Sequence, residues 1–158
     1  MKKFIIFCSL FFISFSVFAQ SADVITQILN SKEVTTGQLA YLAACNQNLI
    51  TDDASFDEAV DVLIDNSLMA TDATALDVPT IETVAKILAK NWHVKGGLFF
   101  KMTKGSARYA FKQLKADGII SPRTDPKTII SGRQALDLIT KCNVLYGKMQ
   151  FTDDPEEE

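Results

Sequence analysis

Apolar residues recur every three or four positions along most of the chain after residue 20, which is the period of an amphipathic α-helix. Thr35, Thr80 and Ser131 each precede such a segment, where a hydroxyl can accept an N–H group of the first helical turn. Ser67 and Gly118 follow two other segments and mark helix ends, since glycine readily takes the left-handed conformation found there. The sequence therefore predicts an all-α fold. The predicted helices cover about residues 23–29, 35–45, 55–66, 80–90, 106–117 and 131–142.

The predicted helices form an internal repeat. With an offset of 51, apolar positions coincide without a gap over about 35 residues, and Leu63 falls on Leu114. A partial third copy lies upstream at an offset of 45, where Leu39 falls on Val84. Because helix pairs of this size bury their apolar faces against one another, we expect one pseudo-symmetric bundle. The units cover about residues 53–90 and 104–142, and the partial unit covers 23–45.

The second full unit has a recognisable order of elements. A helix ends in Gly118-Ile119-Ile120, a loop with aspartate and proline follows, and a further helix begins at Ser131 with Ala135-Leu136 in its core. This order resembles the S-layer homology (SLH) repeat over about two thirds of the chain after residue 19. The resemblance implies stacked two-helix repeats. Members of that family anchor proteins to cell-wall polymers or peptidoglycan, so the resemblance also implies a role at the cell envelope.

SLH repeats usually carry a Thr-Arg-Ala-Glu segment whose arginine reaches the anionic glycan. The corresponding stretches here begin Thr35-Thr36, Thr80-Ile81 and Ser131-Gly132, so the arginine is missing from the second position. The glycine-rich loop between the helices is missing as well. The resemblance therefore transfers no binding residue to this chain.

Residues 1–19 have the pattern of a cleavable secretory signal peptide. Two lysines precede an apolar run over residues 4–18, and Val17 and Ala19 supply small residues before a cut at Gln20. This run is shorter than the roughly 20 residues of a membrane-spanning helix, and an uncleaved anchor is the alternative. Cys8 lies inside the apolar run, so we expect no lipoprotein processing. We expect a periplasmic or secreted protein without stable membrane insertion after cleavage.

The chain after the signal peptide is long enough for one hydrophobic core, and we expect a single helical domain over residues 20–148. Residues 149–158 are rich in Asp and Glu, which predicts a disordered acidic tail. The formal net charge is −3, and it becomes −5 once Lys2 and Lys3 leave with the signal peptide. This acidic balance gives no reason to expect a nucleic-acid partner.

Cys45 and Cys142 remain after cleavage, in a compartment where disulfides persist. Two cysteines allow one intramolecular pairing, and the chain-entropy model gives about 4–5 kcal/mol for a loop of this length. The alternative is that both are small buried apolar residues. We expect the disulfide.

The segment over residues 92–108 interrupts the repeat and concentrates positive charge. From Lys86 to Lys115 there are Lys and Arg residues and no Asp or Glu, although the whole protein is acidic. Such an uneven distribution creates a local positive field that attracts anionic partners. Aromatic residues within the segment suit sugar rings or an interface anchor. The predicted ligand- or partner-binding residues are Trp92, His93, Lys95, Lys101, Lys104 and Arg108.

An alternative interpretation places the apolar part of this segment in the core. Gly96 and Gly97 would then form a turn, and Trp92, Leu98, Phe99 and Met102 would fill the boundary between the repeat units, because aromatic side chains usually bury their large area. The two interpretations are compatible if the aromatic residues face inward and the lysines outward.

Catalytic and metal-binding patterns are not found in the sequence. His93 is the single histidine, whereas a zinc site needs three or four donors. The acidic stretches at 51–53 and 57–58 lack the central glycine and closing glutamate of a calcium-binding EF-hand. The sequence contains neither Gly-x-Ser-x-Gly nor His-Glu-x-x-His, so it lacks an activated nucleophile or metal site of those types. We therefore expect no enzyme activity and no cofactor or metal.

Two function classes remain ahead of a small hydrolase. The first is an exported, non-catalytic binding module of the cell envelope that contacts an anionic glycan or an acidic protein through residues 92–108. The alternative is a periplasmic structural or assembly protein with a purely protein partner.

Overall fold

The computed structural model describes residues 16–147, with side chains from residue 22 onward. Within this range the chain has helices and no β-strand, which confirms the predicted all-α fold class. Residues 1–15 of the predicted signal peptide and the predicted tail at 149–158 lie outside the described residues. None of the helices in the described part is long and apolar enough to cross a membrane. The helices are α1 (Ser16–Asn30), α2 (Thr36–Asn46), α3 (Phe56–Asp65), α4 (Ile81–Asn91), α5 (Leu98–Met102), α6 (Ala107–Ala116) and α7 (Gly132–Cys142), and a π-helical turn (Asn143–Gly147) follows α7.

Two of the three predicted N-caps act through their hydroxyl groups. The Oγ1 of Thr35 accepts the N–H of Gln38 at 3.2 Å, and the Oε1 of Gln38 accepts the N–H of Thr35 at 3.1 Å. This reciprocal pair is a capping box, and Ser131 forms the same arrangement with Gln134 at the start of α7. Both helices therefore begin where the sequence predicted.

Thr80 occupies the N-cap position of α4, but its side chain makes no cap hydrogen bond. The prediction of a hydroxyl cap is wrong at this position. The hydroxyl oxygen of Thr80 lies 3.3 Å from that of Thr83 instead. One of the N–H groups that a cap would serve, that of Glu82, donates to the carbonyl of Pro126 at 3.2 Å. A backbone carbonyl from a distant loop thus satisfies a first-turn donor of α4.

All three helices with predicted caps begin against backbone from a distant part of the chain. In each case the first helical N–H donates to a carbonyl of a loop, which satisfies a donor that has no partner within its own helix. These bonds join Thr36 to Asp77 at 2.7 Å, Ile81 to Thr128 at 2.8 Å and Gly132 to Ser31 at 3.0 Å. The loops therefore hold the starts of α2, α4 and α7 in place.

Helices α3 and α6 end in the same way, at positions 51 residues apart. Ser67 and Gly118 have φ angles of 60° and 77°, so both take the left-handed conformation expected at a helix end. After Ser67, the N–H of Met69 donates to Leu63 at 3.1 Å, and after Gly118, the N–H of Ile120 donates to Leu114 at 3.1 Å. Leu63 and Leu114 are themselves fully buried.

Helix packing differs from the predicted units. Helix α2 packs mainly against α3, and α4 packs mainly against α6, while α7 contacts α1 and α2. The two helices inside each predicted unit are thus not the tightly packed pair. Residues 47–55 fold the chain back directly after α2, whereas residues 66–80 carry it away after α3. The path of each connection decides the pairing, since the connection between α4 and α6 is as long as the one between α3 and α4.

Candidate binding clefts on α4 and α7

A cleft of about 230 Å³ lies between one side of α4 and the loop that precedes it. We call it cleft A. Its α4 residues are spaced by three and four positions, so they share one helix face. It is lined by Thr83, Lys86, Ile87 and Lys90 from α4 and by Leu68, Met69, Asp72 and Asp77 from the preceding loop, together with smaller residues. Cleft A thus combines apolar side chains with two lysines and two carboxylates.

A second cleft, cleft B, has a volume of about 180 Å³ and lies at the corresponding place on α7. The following residues of its lining each stand 51 positions after a lining residue of cleft A: Ile119, Ile120, Thr128, Gln134, Asp137, Leu138 and Lys141. The charged positions differ, because Asp137 takes the place of Lys86 and Thr128 that of Asp77. The carboxylate of Asp137 lies 2.7 Å from the Nζ of Lys141, so cleft B contains an internal ion pair. Each lining holds as many lysines as aspartates, but cleft A carries two lysines on α4 and cleft B one lysine on α7.

A third cleft, cleft C, continues from cleft A past the end of α4. It has a volume of about 490 Å³, and its lining includes His93, Phe100 and Lys104. Leu68 and Lys90 line both cleft A and cleft C. Cations on α4 and beyond it therefore follow one continuous surface.

Helix ends surround cleft C and set its electrostatics. Ser67, His93 and Lys104 line it with φ angles of 60°, 47° and 50°, each beyond the C-terminus of a helix. Helix C-termini carry partial negative charge from carbonyl groups that have no partner in the helix. The Nζ of Lys90 donates to one of these, the carbonyl of Ser67, at 3.1 Å. The backbone around cleft C therefore favours cations, and the attraction for an anionic ligand comes from the lysine side chains.

The structure separates the predicted binding residues into three groups. His93 and Lys104 line cleft C, whereas Lys95, Lys101 and Arg108 are exposed and line none of the three clefts. Trp92 is 3% exposed and belongs to the hydrophobic core. Its assignment to the binding surface is therefore corrected: its indole packs inside, and a ligand on the surface does not reach it.

The alternative core interpretation is right for Trp92 and wrong for three other residues. Leu98, Phe99 and Met102 are 71%, 62% and 70% exposed. They belong to α5, a five-residue helix that was not among the helices predicted from the sequence. Phe100, half-buried, packs against the core from this helix. A helix this short presents one face to the body, so its other apolar side chains stay in solvent.

The predicted disulfide is absent. Cys45 and Cys142 are both free thiols, Cys45 half-buried near the end of α2 and Cys142 fully buried near the end of α7. Burial raises the pKa of Cys142 to about 12. Burial also raises the pKa of Cys45, with a smaller contribution from nearby Asp52, while a hydrogen bond with Tyr41 lowers it. Since the thiolate is the reactive form, both environments disfavour disulfide exchange.

The described part of the chain contains no set of donors for a metal ion. No group of three or more His, Cys, Asp or Glu residues lies close enough together within residues 16–147 to hold a metal ion.

Comparison with protein-family models, with curated proteins and with solved structures gives no match. The resemblance to the SLH repeat stays a prediction.

Several cleft residues were not among the predicted site residues. Lys86 and Lys90 belong to the acid-free stretch noted in the sequence, but the site was placed after them, at 92–108. Asp72 and Asp77 lie in a loop without a recognisable motif. The offset of 51 was the usable signal, because it places the linings of clefts A and B in the same register.

Proposed function

We propose that this protein is an exported, non-catalytic binding module of the cell envelope whose ligand is an anionic glycan. The observation that carries the proposal is the continuity of clefts A and C. Because they share Leu68 and Lys90, a ligand lying along them meets Lys86, Lys90, His93 and Lys104 in succession. The binding surface is thus shifted from the segment at 92–108 toward α4.

The dimensions favour a polymer over a small molecule. At a rise of about 1.5 Å per residue, the 11 residues of α4 extend over roughly 16 Å, and cleft C continues beyond them. The cations at successive positions can therefore contact several units of a chain-like ligand. Lys86 and Lys104 supply charge near the two ends of this path.

The chemistry of the lining suits a sugar polymer. Leu68, Met69 and Ile87 provide apolar surface for the faces of sugar rings, and Asp72 and Thr83 provide hydrogen-bonding groups for hydroxyls. The resemblance to SLH repeats supports the same ligand class. The missing arginine of that family is compensated, in this proposal, by the lysines of α4.

Export is part of the proposal and rests on the signal-peptide pattern of residues 1–19. We propose that the mature protein works in the periplasm or outside the cell. Expression of the full-length gene, followed by mass measurement of the product in each cell fraction, tests this step. Recovery of the uncut chain from the cytoplasm would contradict it.

Co-sedimentation with purified peptidoglycan tests the binding step. The exported protein should sediment with peptidoglycan at low salt and remain in solution at high salt, because salt screens exposed charge contacts. The variant Lys86→Gln/Lys104→Gln should lose most of this binding. A matched control, Arg123→Gln/Lys127→Gln, removes two exposed cations that line none of the clefts and should bind normally. Failure of the wild-type protein to sediment at low salt would contradict the proposal for this glycan.

A further inference from the structure

Helix α5 presents an apolar ridge to solvent. At 100° per residue, Leu98, Met102 and Phe99 lie within an arc of about 100° on this helix. Each of the three is more than 60% exposed. Phe100 lies on the opposite side and is half-buried against the core. The helix is therefore oriented with its most apolar face outward, which is the reverse of the usual arrangement at a protein surface.

The orientation of α5 is fixed by Phe100 and two glycines. A Cβ at Gly96 would lie 2.3 Å from the Cγ of Phe100, and a Cβ at Gly105 would lie 3.2 Å from its Cζ. The ring of Phe100 thus packs directly on glycine backbone at both ends of α5. The N–H of Gly105 also donates to the carbonyl of Phe100 at 2.9 Å. These contacts hold the apolar ridge outward as a built feature of the fold.

Positive charge borders the ridge. Lys101 lies on α5 about 60° from Leu98, on the side away from Phe99. Phe99 stacks on Tyr109, with ring centroids 6.0 Å apart and an angle of 10° between the planes. The Nζ of Lys112 lies 5.6 Å from the centroid of the Tyr109 ring. Between Glu82 and Asp117 the sequence contains no acidic residue, so nothing along this stretch offsets these cations.

We propose that the apolar ridge of α5, formed by Leu98, Phe99 and Met102, docks reversibly on the surface of an anionic lipid bilayer. The apolar side chains enter the interfacial region, and Lys101 and Lys112 contact anionic headgroups. The contact is peripheral and leaves the rest of the domain in water. It is separate from clefts A and C, which do not include these three side chains.

The charge of the surface favours an anionic bilayer as its partner. Leu98 and Phe99 line a depression of about 270 Å³ together with Tyr109 and Lys112, and its lining contains a lysine and no acidic residue. A bilayer accepts protruding apolar side chains at any position along its surface and attracts lysines without a fixed geometry. An anionic bilayer therefore suits both parts of the surface, because its interfacial region takes up the apolar side chains and its headgroups attract the lysines.

Vesicle co-sedimentation tests the proposal, using the exported product of the full-length gene. Vesicles of phosphatidylcholine with about one third phosphatidylglycerol should bind the protein, and vesicles of phosphatidylcholine alone should bind it much more weakly. The variant Leu98→Ser/Met102→Ser should lower the partition coefficient by at least about tenfold. Both side chains are about 70% exposed, so the fold should persist. Thermal unfolding of the variant checks this directly.

Two control variants separate the apolar and the charge contributions. Leu76→Ser removes a leucine that is 87% exposed outside α5 and should bind vesicles like the wild type. Lys101→Glu/Lys112→Glu should abolish the preference for anionic vesicles, whereas Arg123→Glu/Lys127→Glu should leave the preference in place. Equal binding of wild type to both vesicle types, or unchanged binding by Leu98→Ser/Met102→Ser, would overturn the proposal.

The two binding proposals fail independently. Leu98→Ser/Met102→Ser should still sediment with peptidoglycan, because its changes lie outside clefts A and C. Lys86→Gln should still bind anionic vesicles, because Lys86 lies in cleft A and not on α5. Loss of both activities in either variant would contradict the assignment of two separate surfaces.

Discussion

The indole Nε1–H of Trp92 donates to the Oδ1 of Asn143 at 2.7 Å, which joins the end of α4 to the π-helical turn after α7. The two residues are 51 positions apart, which is the main offset of the predicted repeat. Gln47, 45 positions before Trp92, donates from its Nε2 to the carbonyl of Asn91 at 3.0 Å. Three positions related by the predicted offsets thus lie close together, at the ends of α2, α4 and α7.

Trp92→Phe should lower the free energy of unfolding by about 1–3 kcal/mol. The phenyl ring keeps much of the packing but removes the donor to Asn143, and an unpaired, partly buried oxygen is costly. Urea unfolding of the purified protein measures the change. In a double-mutant cycle with Asn143→Ala, the two changes should be non-additive. Strict additivity would show that the hydrogen bond contributes nothing to stability.

The three N-cap positions should respond differently to alanine. Thr35→Ala and Ser131→Ala should each cost about 1 kcal/mol, because each removes a capping-box acceptor. Thr80→Ala should cost only a few tenths of a kcal/mol, since Thr80 makes no cap hydrogen bond. Chemical denaturation of the three variants provides the comparison. Equal losses of stability in the three variants would contradict the absence of a cap hydrogen bond at Thr80.

Gly132→Ala should prevent folding or destabilise the protein severely. An added Cβ at Gly132 would lie 1.7 Å from the carbonyl oxygen of Ile28, so the start of α7 and the end of α1 would have to separate. Gly97→Ala is the matched control, because its Cβ would meet nothing within 4 Å. Circular dichroism and thermal unfolding compare the two variants. A native-like melting curve for Gly132→Ala would contradict the close approach of α1 and α7.

Stability should fall as the pH rises above about 9. Burial raises the pKa of Cys142 from 9.0 to about 12 and that of Tyr41 from 10.0 to about 12. The unfolded chain therefore loses these protons at lower pH than the folded chain, and the stabilisation is complete below pH 9 and lost between 9 and 12. Urea midpoints across this range measure the effect. The fall should be smaller in Cys142→Ala.

Thiol labelling checks the same cysteines by another route. In the folded protein, half-buried Cys45 should react slowly and Cys142 should not react, whereas both should react after unfolding without a reductant. If neither cysteine reacts after unfolding without a reductant, Cys45 and Cys142 are oxidised. This result would support the disulfide expected from the sequence and contradict the free thiols of the structure.

Local patterns predicted the helices well. The spacing of apolar residues placed α2, α3, α4, α6 and α7 within a residue or two of their observed bounds, because each helix has a polar N-cap and buries one continuous face. Packing was harder to predict. Which helices pair depends on the paths of the loops, and the loops at 66–80 and 117–131 are held by backbone hydrogen bonds that leave no sequence signature.

The candidate site was predicted only in part. The unevenly charged stretch at residues 86–115 overlaps the linings of clefts A and C, and His93 and Lys104 line cleft C. Burial of Trp92 and exposure of Phe99 could not be read from composition, since both are large aromatic residues in a segment without helical periodicity. The exposure of Phe99 follows from how Phe100 packs between Gly96 and Gly105, and the buried Trp92 is bonded to Asn143 beyond α7. Both are tertiary relationships.

The salt dependence of peptidoglycan binding tests the central claim most directly. Binding of the wild type and of Lys86→Gln/Lys104→Gln is measured over a series of salt concentrations, with Arg123→Gln/Lys127→Gln as the control. If the lysines of clefts A and C contact an anionic glycan, the affinity of Lys86→Gln/Lys104→Gln should depend less steeply on salt than that of the wild type, and the salt dependence of the control should stay unchanged. An unchanged slope and affinity in Lys86→Gln/Lys104→Gln would contradict the claim.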